Sequence, residues 1–427
     1  MLRRPILVLV IIATVMSMFN GITWAAGKEV TINMLASVGG SGKSFSKGIE
    51  LFNERYKGQY QVKVTLIANE SLLEKEMMQF ITRVPTYDVL AINTVWLPGV
   101  SRYLEPLNPW IKKHGPQDIE KMYGASTVDR ITFDGNVVGL PIRFGTYILF
   151  YRSDWFKEAG LNVPSTLEEY VVVAKKLTKP GTYGTSMQLQ SPAWSTEAYG
   201  CFLLPYGGAY LTDDLRHASP SLTDEVGIKV LNFLKELHDS KVMPNPLEWT
   251  YDDNVVAFQS GKIAFSHEYS ARATILEDPK RSVAAGKMGY DILPTPKIPV
   301  GPHTPRYLGT YWTLAIDRNS KNKEAAYKFI KFMADVEAQR YMAFKADNGP
   351  TVLSIYDDPE YRRINPAAQA IKKAITTLGI SEYLPVPQYQ ELLKVIHEEL
   401  QAFIIGKQDA AKTARRMRDR IDETLGR

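Results

Sequence analysis

The segment Ser37–Ser44, SVGGSGKS, comes nearest to a known chemical device. It follows a β-rich run and precedes a helix-forming one, as a phosphate-cradling G-x-x-x-x-G-K-[ST] loop does. The first glycine of that pattern falls on Ser37, so the match fails, and no later strand ends in an obvious magnesium-binding Asp. What survives is a Gly-rich entry to a helix, whose N–H groups suit a hydroxyl or an anion. A tight turn without a ligand is the competing reading. The six histidines (His114, His217, His238, His267, His303 and His397) include no pair at metal-ligand spacing and no H-E-x-x-H. There is no G-x-S-x-G elbow, and the single cysteine, Cys201, has no neighbouring His to activate it. It also excludes an intramolecular disulfide and Cys-based metal centres. No cofactor and no metal are expected. A glycosidase needs two carboxylates across a bond; acids are plentiful, but no local motif nominates a pair. The aromatics Trp96, Trp194, Tyr311 and Trp312 stand beside turns or polar residues, where a ring face can stack on the C–H face of a sugar. Each taken alone reads as core.

These residues need a scaffold, and the pattern supplies one. Val30–Ala36, Tyr60–Ala68 and Asp88–Ile92 read as strands. Between them, Ser44–Arg55 (Phe45, Ile49 and Phe52 on one face) and Ser71–Thr82 read as helices. This β-α-β-α-β rhythm marks a sheet with helices on both faces. Val137–Tyr151 reads as strand, turn, strand, and Thr166 with Glu169 opens a capped helix running to about Leu177. Leu222–Leu237 is a further helix, Gly289–Pro305 a connector, Leu308–Ile316 a strand and Lys323–Met333 a helix. The last 40 residues form two helices split at Gly406. The second carries Arg415, Arg416, Arg418 and Arg420 on a face read as solvated.

The chain has 427 residues, 45% hydrophobic and 23% charged, which excludes a disordered or fibrous protein and leaves room for two or three compact units. Its net charge of +5 falls to +3 without the first 27 residues, too small a surplus for a nucleic-acid partner. Those 27 residues place Arg3 and Arg4 before the apolar run Ile6–Phe19 and the small-residue exit Thr23–Gly27. A 14-residue helix rises about 21 Å, short of a roughly 30 Å bilayer core, so the segment reads as a cleavable export signal. No Cys lies at that exit, so no lipid anchor is expected.

Several blocks resemble the extracellular solute-binding proteins of ABC sugar importers, the group that includes maltose-binding protein. Tyr87–Leu107 (YDVLAINTVWLPGVSRYLEPL) is similar to the family's Asp-led strand, polar loop, Trp and closing L-x-P-L. Leu140–Thr166 is similar to its Pro-led strand, Tyr-containing turn and capped helix. Gly261–Phe265 (GKIAF), Gly309–Phe332 and the Gly349-Pro350-Thr351 turn follow in the family's order. The resemblance covers about residues 28–427. It implies an α/β, two-lobed periplasmic binding protein fold of the Venus-flytrap, class II-like kind. Residues 28–142 plus 290–316 would form the first lobe, and 143–289 plus 317–427 the second. Crossings are expected near Pro141–Tyr147, Gly289–Pro296 and Asp317–Ser320.

The resemblance implies a ligand site in the interlobe cleft. Gly40, Ser41, Lys43, Asn93, Trp96, Tyr311 and Trp312 would line the first lobe. Arg143, Gly145, Thr146 and Tyr147 would lie at the crossing. Ser191, Trp194, Gly207, Gly208, His267, Glu268 and Asn348 would line the second lobe. Two departures stand out: many members carry an acid at the turn aligned with Gly145, and many a Trp after G-K-x-A-M, where this chain has Ser266-His267-Glu268-Tyr269. Glu268 or Arg143 would then take over contacts made elsewhere in the family. The Tyr151-Arg152 pair resembles members that bind sugar alcohols. The implied protein is not an enzyme. It is a periplasmic carrier, expected to be a monomer, that takes a carbohydrate or polyol to an ABC transporter permease. The alternatives are a secreted glycan-processing enzyme, or the same fold holding a peptide, polyamine or anion.

Overall fold

The computed structural model describes residues 29–346, 349–381 and 384–427. The expected leader at residues 1–27 and the candidate Asn348 lie outside them. Ten strands occur among the described residues: β1 (Val30–Ser37), β2 (Tyr60–Ile67), β3 (Val89–Asn93), β4 (Thr132–Phe133), β5 (Asn136–Val137), β6 (Leu140–Arg152), β7 (Phe265–Tyr269), β8 (Met288–Asp291), β9 (Tyr307–Ile316) and β10 (Ile380–Ser381). The main sheet runs β2-β1-β3-β9-β6-β7. β1 lies parallel to β2 and β3, with helices Gly39–Arg55 and Asn69–Thr82 as the connections, as the alternating pattern requires.

Val137–Tyr151 departs from the strand-turn-strand expectation. Leu140–Arg152 is one strand of 13 residues, and Gly145-Thr146 sits inside it. It changes partners instead of turning. Residues 140–146 pair antiparallel with β9, and residues 147–152 pair with β7 and β8. The register shifts between Pro141 and Arg143, where Pro141 has no N–H to give the ladder. The Pro141 carbonyl instead accepts from Gln339 Nε2 (3.0 Å) and Thr351 Oγ1 (2.7 Å).

The crossings also differ from the expected places. Asp317–Ser320 stays on the first half of the sheet: Asp317 Oδ2 accepts from Gln79 and Ser320 Oγ donates to Asp88 (2.6 Å). Helix Lys323–Ala334 packs there too, with Phe52 between Phe329 (5.1 Å) and Phe332 (5.3 Å). Val336–Ala346 joins it against Gly39–Arg55, so residues 323–346 pack with the first half and not, as expected, with the second. Gly289–Pro296 begins with β8 on β6, and Thr295 N then donates to Ser165 O, so this stretch remains with the second half. The last two helices, Tyr389–Ile404 and Ala410–Thr424, pack against Pro192–Leu203 and Glu225–Asp239. The Arg-rich face is not simply solvated. Arg416 and Arg420 both donate to buried Glu399 (2.9 and 2.8 Å) and hold its carboxyl below the usual range against the cost of burial.

Candidate functional site

A cleft of about 1220 Å³ opens over the strands that join the two halves. Its first wall is the inward side of Asn69–Thr82 (Leu73, Glu74, Met77) and the segment Asn93–Arg102 that follows β3. Its second wall carries Trp194 and Glu197 on Pro192–Leu203, Tyr251 and Arg272, and the start of the helix at Tyr389. The floor is made by Tyr147 of β6, Tyr269 of β7 and Leu308–Thr310 of β9.

Of the residues nominated from the sequence, Asn93, Trp96, Tyr147 and Trp194 line this cleft. Asn93 caps the turn that presents Trp96, its Oδ1 accepting from Val95 N (3.1 Å). Trp194 is set by the N-cap at Ser191 of the helix it stands on. Each of the two tryptophans is half-buried and lines the cleft.

The others have other tasks. The Gly-rich segment is already helical from Gly39, with Val38 at the N-cap. Gly42 is a close-packing residue: a Cβ there would overlap the Ser37 carbonyl and stand 3.2 Å from Leu66 Cδ2. Lys43 is exposed, and Gly40 and Ser41 lie beside Arg143, whose Nη1 donates to Ser41 Oγ (3.2 Å). None of these four lines the cleft. Ser191 is the helix cap just described. Thr146 is buried, its hydroxyl donating to Leu308 O (2.7 Å). Gly207 (φ +81°) and Gly208 form a buried turn that receives the Gly301–His303 backbone. Tyr311 is buried and accepts from Thr127 Oγ1 (2.9 Å). Trp312 is 8% exposed and packs edge-on against Trp96 at 5.7 Å, supporting the cleft ring from below without lining it. Arg152 is buried, paired with Asp154 (2.6 Å) and stacked on Trp155, so the Tyr151-Arg152 pair is structural.

His267 and Glu268 are buried in β7. Glu268 Oε2 accepts from Asn254 Nδ2 (2.6 Å) and Oε1 from Tyr269 N (3.0 Å). Burial pushes its carboxyl up to about 7, against those two hydrogen bonds and the Arg272 charge. Burial pushes His267 down to about 4, so its imidazole is neutral at ordinary pH. Glu268 thus supports Tyr269 from behind.

Sequence reasoning missed Glu197, Tyr251, Arg272, Thr310 and Tyr389. The Tyr147 hydroxyl donates to Glu197 Oε2 (2.5 Å), and the Tyr251 hydroxyl donates to Tyr147 (2.5 Å). Both phenols are held well above their ordinary range, first by burial and next by the Glu197 charge. The Trp194 and Tyr251 rings meet edge-to-face at 5.3 Å. One signal was available: Thr250 with Asp253 is a capping box that fixes the turn bearing Tyr251.

The two departures from the family pattern meet at one point. A Cβ at Gly145 would stand 2.8 Å from Tyr269 Cε1 and closer still to its hydroxyl. The Tyr269 ring lies where a side chain at 145 would be, and its hydroxyl shares a hydrogen bond with Thr310.

The arrangement is an aromatic-walled cleft with a hydroxyl–carboxylate cluster. Among the described residues its charged lining is two acids, Glu74 and Glu197, and two bases, Arg102 and Arg272. No group of acids, histidines and cysteine that could hold a metal ion occurs among the described residues.

Residues 36–340 match the family model described as bacterial extracellular solute-binding protein. A probable amino-acid ABC transporter periplasmic-binding protein of Sinorhizobium fredii is 21% identical over 73% of this chain and 68% of its own. The erythritol/L-threitol-binding protein of Mycolicibacterium smegmatis is 23% identical over 80% of this chain and 72% of its own. A solute-binding protein of Agrobacterium radiobacter, solved in complex with ribitol, superposes with TM-score 0.75 at 23% identity, covering 92% of this chain and 98% of the other.

Proposed function

The chain belongs to the bacterial extracellular solute-binding proteins and has their two-lobed α/β fold, and on that premise we propose that it is the substrate-binding component of an ABC importer for a sugar or sugar alcohol. The observation that carries the ligand class is the cluster Tyr147–Glu197–Tyr251 in the cleft that Trp96 and Trp194 also line. Hydroxyl and carboxylate oxygens answer the hydroxyls of a polyol, and ring faces answer its C–H faces. The balanced charge of the lining favours a neutral ligand. The relatives that bind erythritol or ribitol support the same class.

The walls close on the ligand by a hinge in β6 and β9. Contacts to both walls are complete only in the closed form, so the ligand draws the equilibrium toward closure. The closed carrier, exported through its leader and acting as a monomer outside the cytoplasm, docks on a permease. Binding without turnover is its part of the cycle.

Titrating the protein with erythritol, ribitol, D-mannitol, D-glucose and maltose while recording tryptophan fluorescence and Tm tests this. A ligand of this class should change the emission and raise Tm, by about 3 kcal/mol of added stability at a hundred times its Kd. A response to an amino acid with none to any polyol or sugar would overturn the reading.

A further inference from the structure

We propose that Tyr269 and Gly145 together form the stop that sets the length of the ligand; this rests on the polyol reading above. Arg143, Gly145 and Tyr147 alternate along β6 and so share a face, with Tyr147 in the cleft. Opposite them on β9, Gly145 pairs with Thr310 and Arg143 with Trp312. Without an obstruction the floor would continue from Tyr147 past Gly145 to Arg143. Tyr269 is the obstruction. It starts opposite Tyr147, and its ring reaches along β6 to cover Gly145 and meet Thr310. Arg143 and Ser41 therefore pair with each other behind it and do not line the cleft.

With Gly145 covered by the ring, the part of β6 left open to the cleft ends at Tyr147, which leaves the floor there for one monosaccharide ring or a short acyclic polyol. Removing the ring would open β6 from Tyr147 to Arg143, about 13 Å at roughly 3.3 Å per residue, room for at least one further sugar unit. Tyr269 is held from several sides: its N–H by Glu268 (3.0 Å), its ring against Tyr147 (5.5 Å) and its hydroxyl by Thr310. Any side chain at position 145 would displace it.

The test is a ladder of ligands titrated against the mature protein and its variants: ribitol, D-mannitol, D-glucose, maltose and maltotriose. The parent should bind a member of one-unit length and refuse maltose and maltotriose. Tyr269→Ala should gain maltose affinity about tenfold or more relative to the one-unit ligand. Gly145→Ala should weaken the one-unit ligand in the parent, because it drives the ring into the cleft, and do so much less in the Tyr269→Ala background. Parent binding with an unchanged length profile in Tyr269→Ala overturns the stop, as does a Gly145→Ala effect equal in both backgrounds. If Tyr269→Ala fails to fold, Gly145→Ala and Gly145→Ser decide: unaltered one-unit affinity in both overturns the proposal. Binding of no sugar or polyol by the parent overturns the polyol reading itself, a separate outcome.

Discussion

Glu268→Gln should change how stability depends on pH, in a direction fixed by the burial of β7. Glu268 is fully buried, and burial raises its carboxyl from 4.5 to about 7. Below pH 4.5 it is protonated in both folded and unfolded chains, and its contribution is at its best. As the pH rises through 7 the unfolded chain has already released the proton and the folded chain must bury the anion, so stability is lost across that window. The span is worth about 3 kcal/mol at about 1.4 kcal/mol per unit. His267 acts in the opposite sense. Its folded value of about 4 lies below the usual 6.5, so its contribution is present above 6.5 and lost as the pH falls toward 4. The two neighbours therefore nearly cancel between pH 4.5 and 6.5. Replacing Glu268 by Gln removes one member and leaves the other. Measured against the parent, the variant should gain about 3 kcal/mol between pH 4.5 and pH 7, or roughly 4 °C in Tm for about 400 residues. One hydrogen bond, from Asn254 or from Tyr269, is lost at every pH, so the slope and not the offset is the readout. Thermal unfolding followed by circular dichroism at half-unit pH steps gives it. His267→Gln should show the mirror trend, gaining on its parent as the pH falls from 6.5 to 4. Parallel curves for Glu268→Gln and the parent would refute the reasoning.

Trp312→Ala should cost roughly 3–5 kcal/mol of folding stability, because the ring is packed beneath Trp96; chemical denaturation measures it, and a loss confined to ligand affinity would contradict the packing. Trp194→Ala should lower affinity for the ligand about tenfold while the unliganded Tm moves little, since the ring is half-buried on the cleft wall; titration calorimetry with a thermal melt separates the two. Gly42→Ala should destabilise by about 1–3 kcal/mol by forcing apart β1 and the following helix, whereas Lys43→Ala should leave both stability and affinity unchanged. An affinity loss in Lys43→Ala would restore a ligand role to that segment.

The elements with strong local pattern were legible in the sequence. Val30–Ser37, Tyr60–Ile67 and Val89–Asn93 alternate or run apolar, and the helices between them carry one apolar stripe each. β6 was misread as two strands because a Gly-Thr pair between apolar runs is a turn signal, and nothing local tells that β9 gives way there to β7 and β8. The Gly-rich segment was misread for a related reason. Glycine serves close approach as well as ligand cradles, and the Ser37 carbonyl that demands Gly42 is visible only in the fold. Trp96 and Trp194 stood out as aromatics beside turns. Glu197 did not: it lies between buried Thr196 and Ala198 on a helix, where periodicity assigns an acid to solvent. The cleft opposite it is made by residues tens of positions away, so no spacing within its own helix could have shown it.

The placement of the site on β6 and β9 divides its residues by what they can do for closure. A ligand shifts an equilibrium only by its difference in affinity for the two states. Tyr147 and Thr310 stand on the floor strands β6 and β9; under the proposed hinge, a contact to either would exist in the open and closed forms alike and would add affinity to both. Trp96 stands on the first wall, and Trp194, Glu197 and Tyr251 on the second; under the proposed hinge, a ligand touching both sets would gain its second set of contacts only on closing. The proposed closure would therefore draw its force from the walls and the affinity common to both states from the floor. Tyr147 links the two through its hydrogen bond to Glu197, which fixes the second wall's carboxylate to the floor before any ligand arrives. Hence Tyr147→Phe should lower affinity while leaving the ligand-induced compaction seen by small-angle scattering at saturation intact. Trp96→Ala should reduce both. A Tyr147→Phe protein that binds at saturation and stays open would assign the closing force to the floor and refute the division.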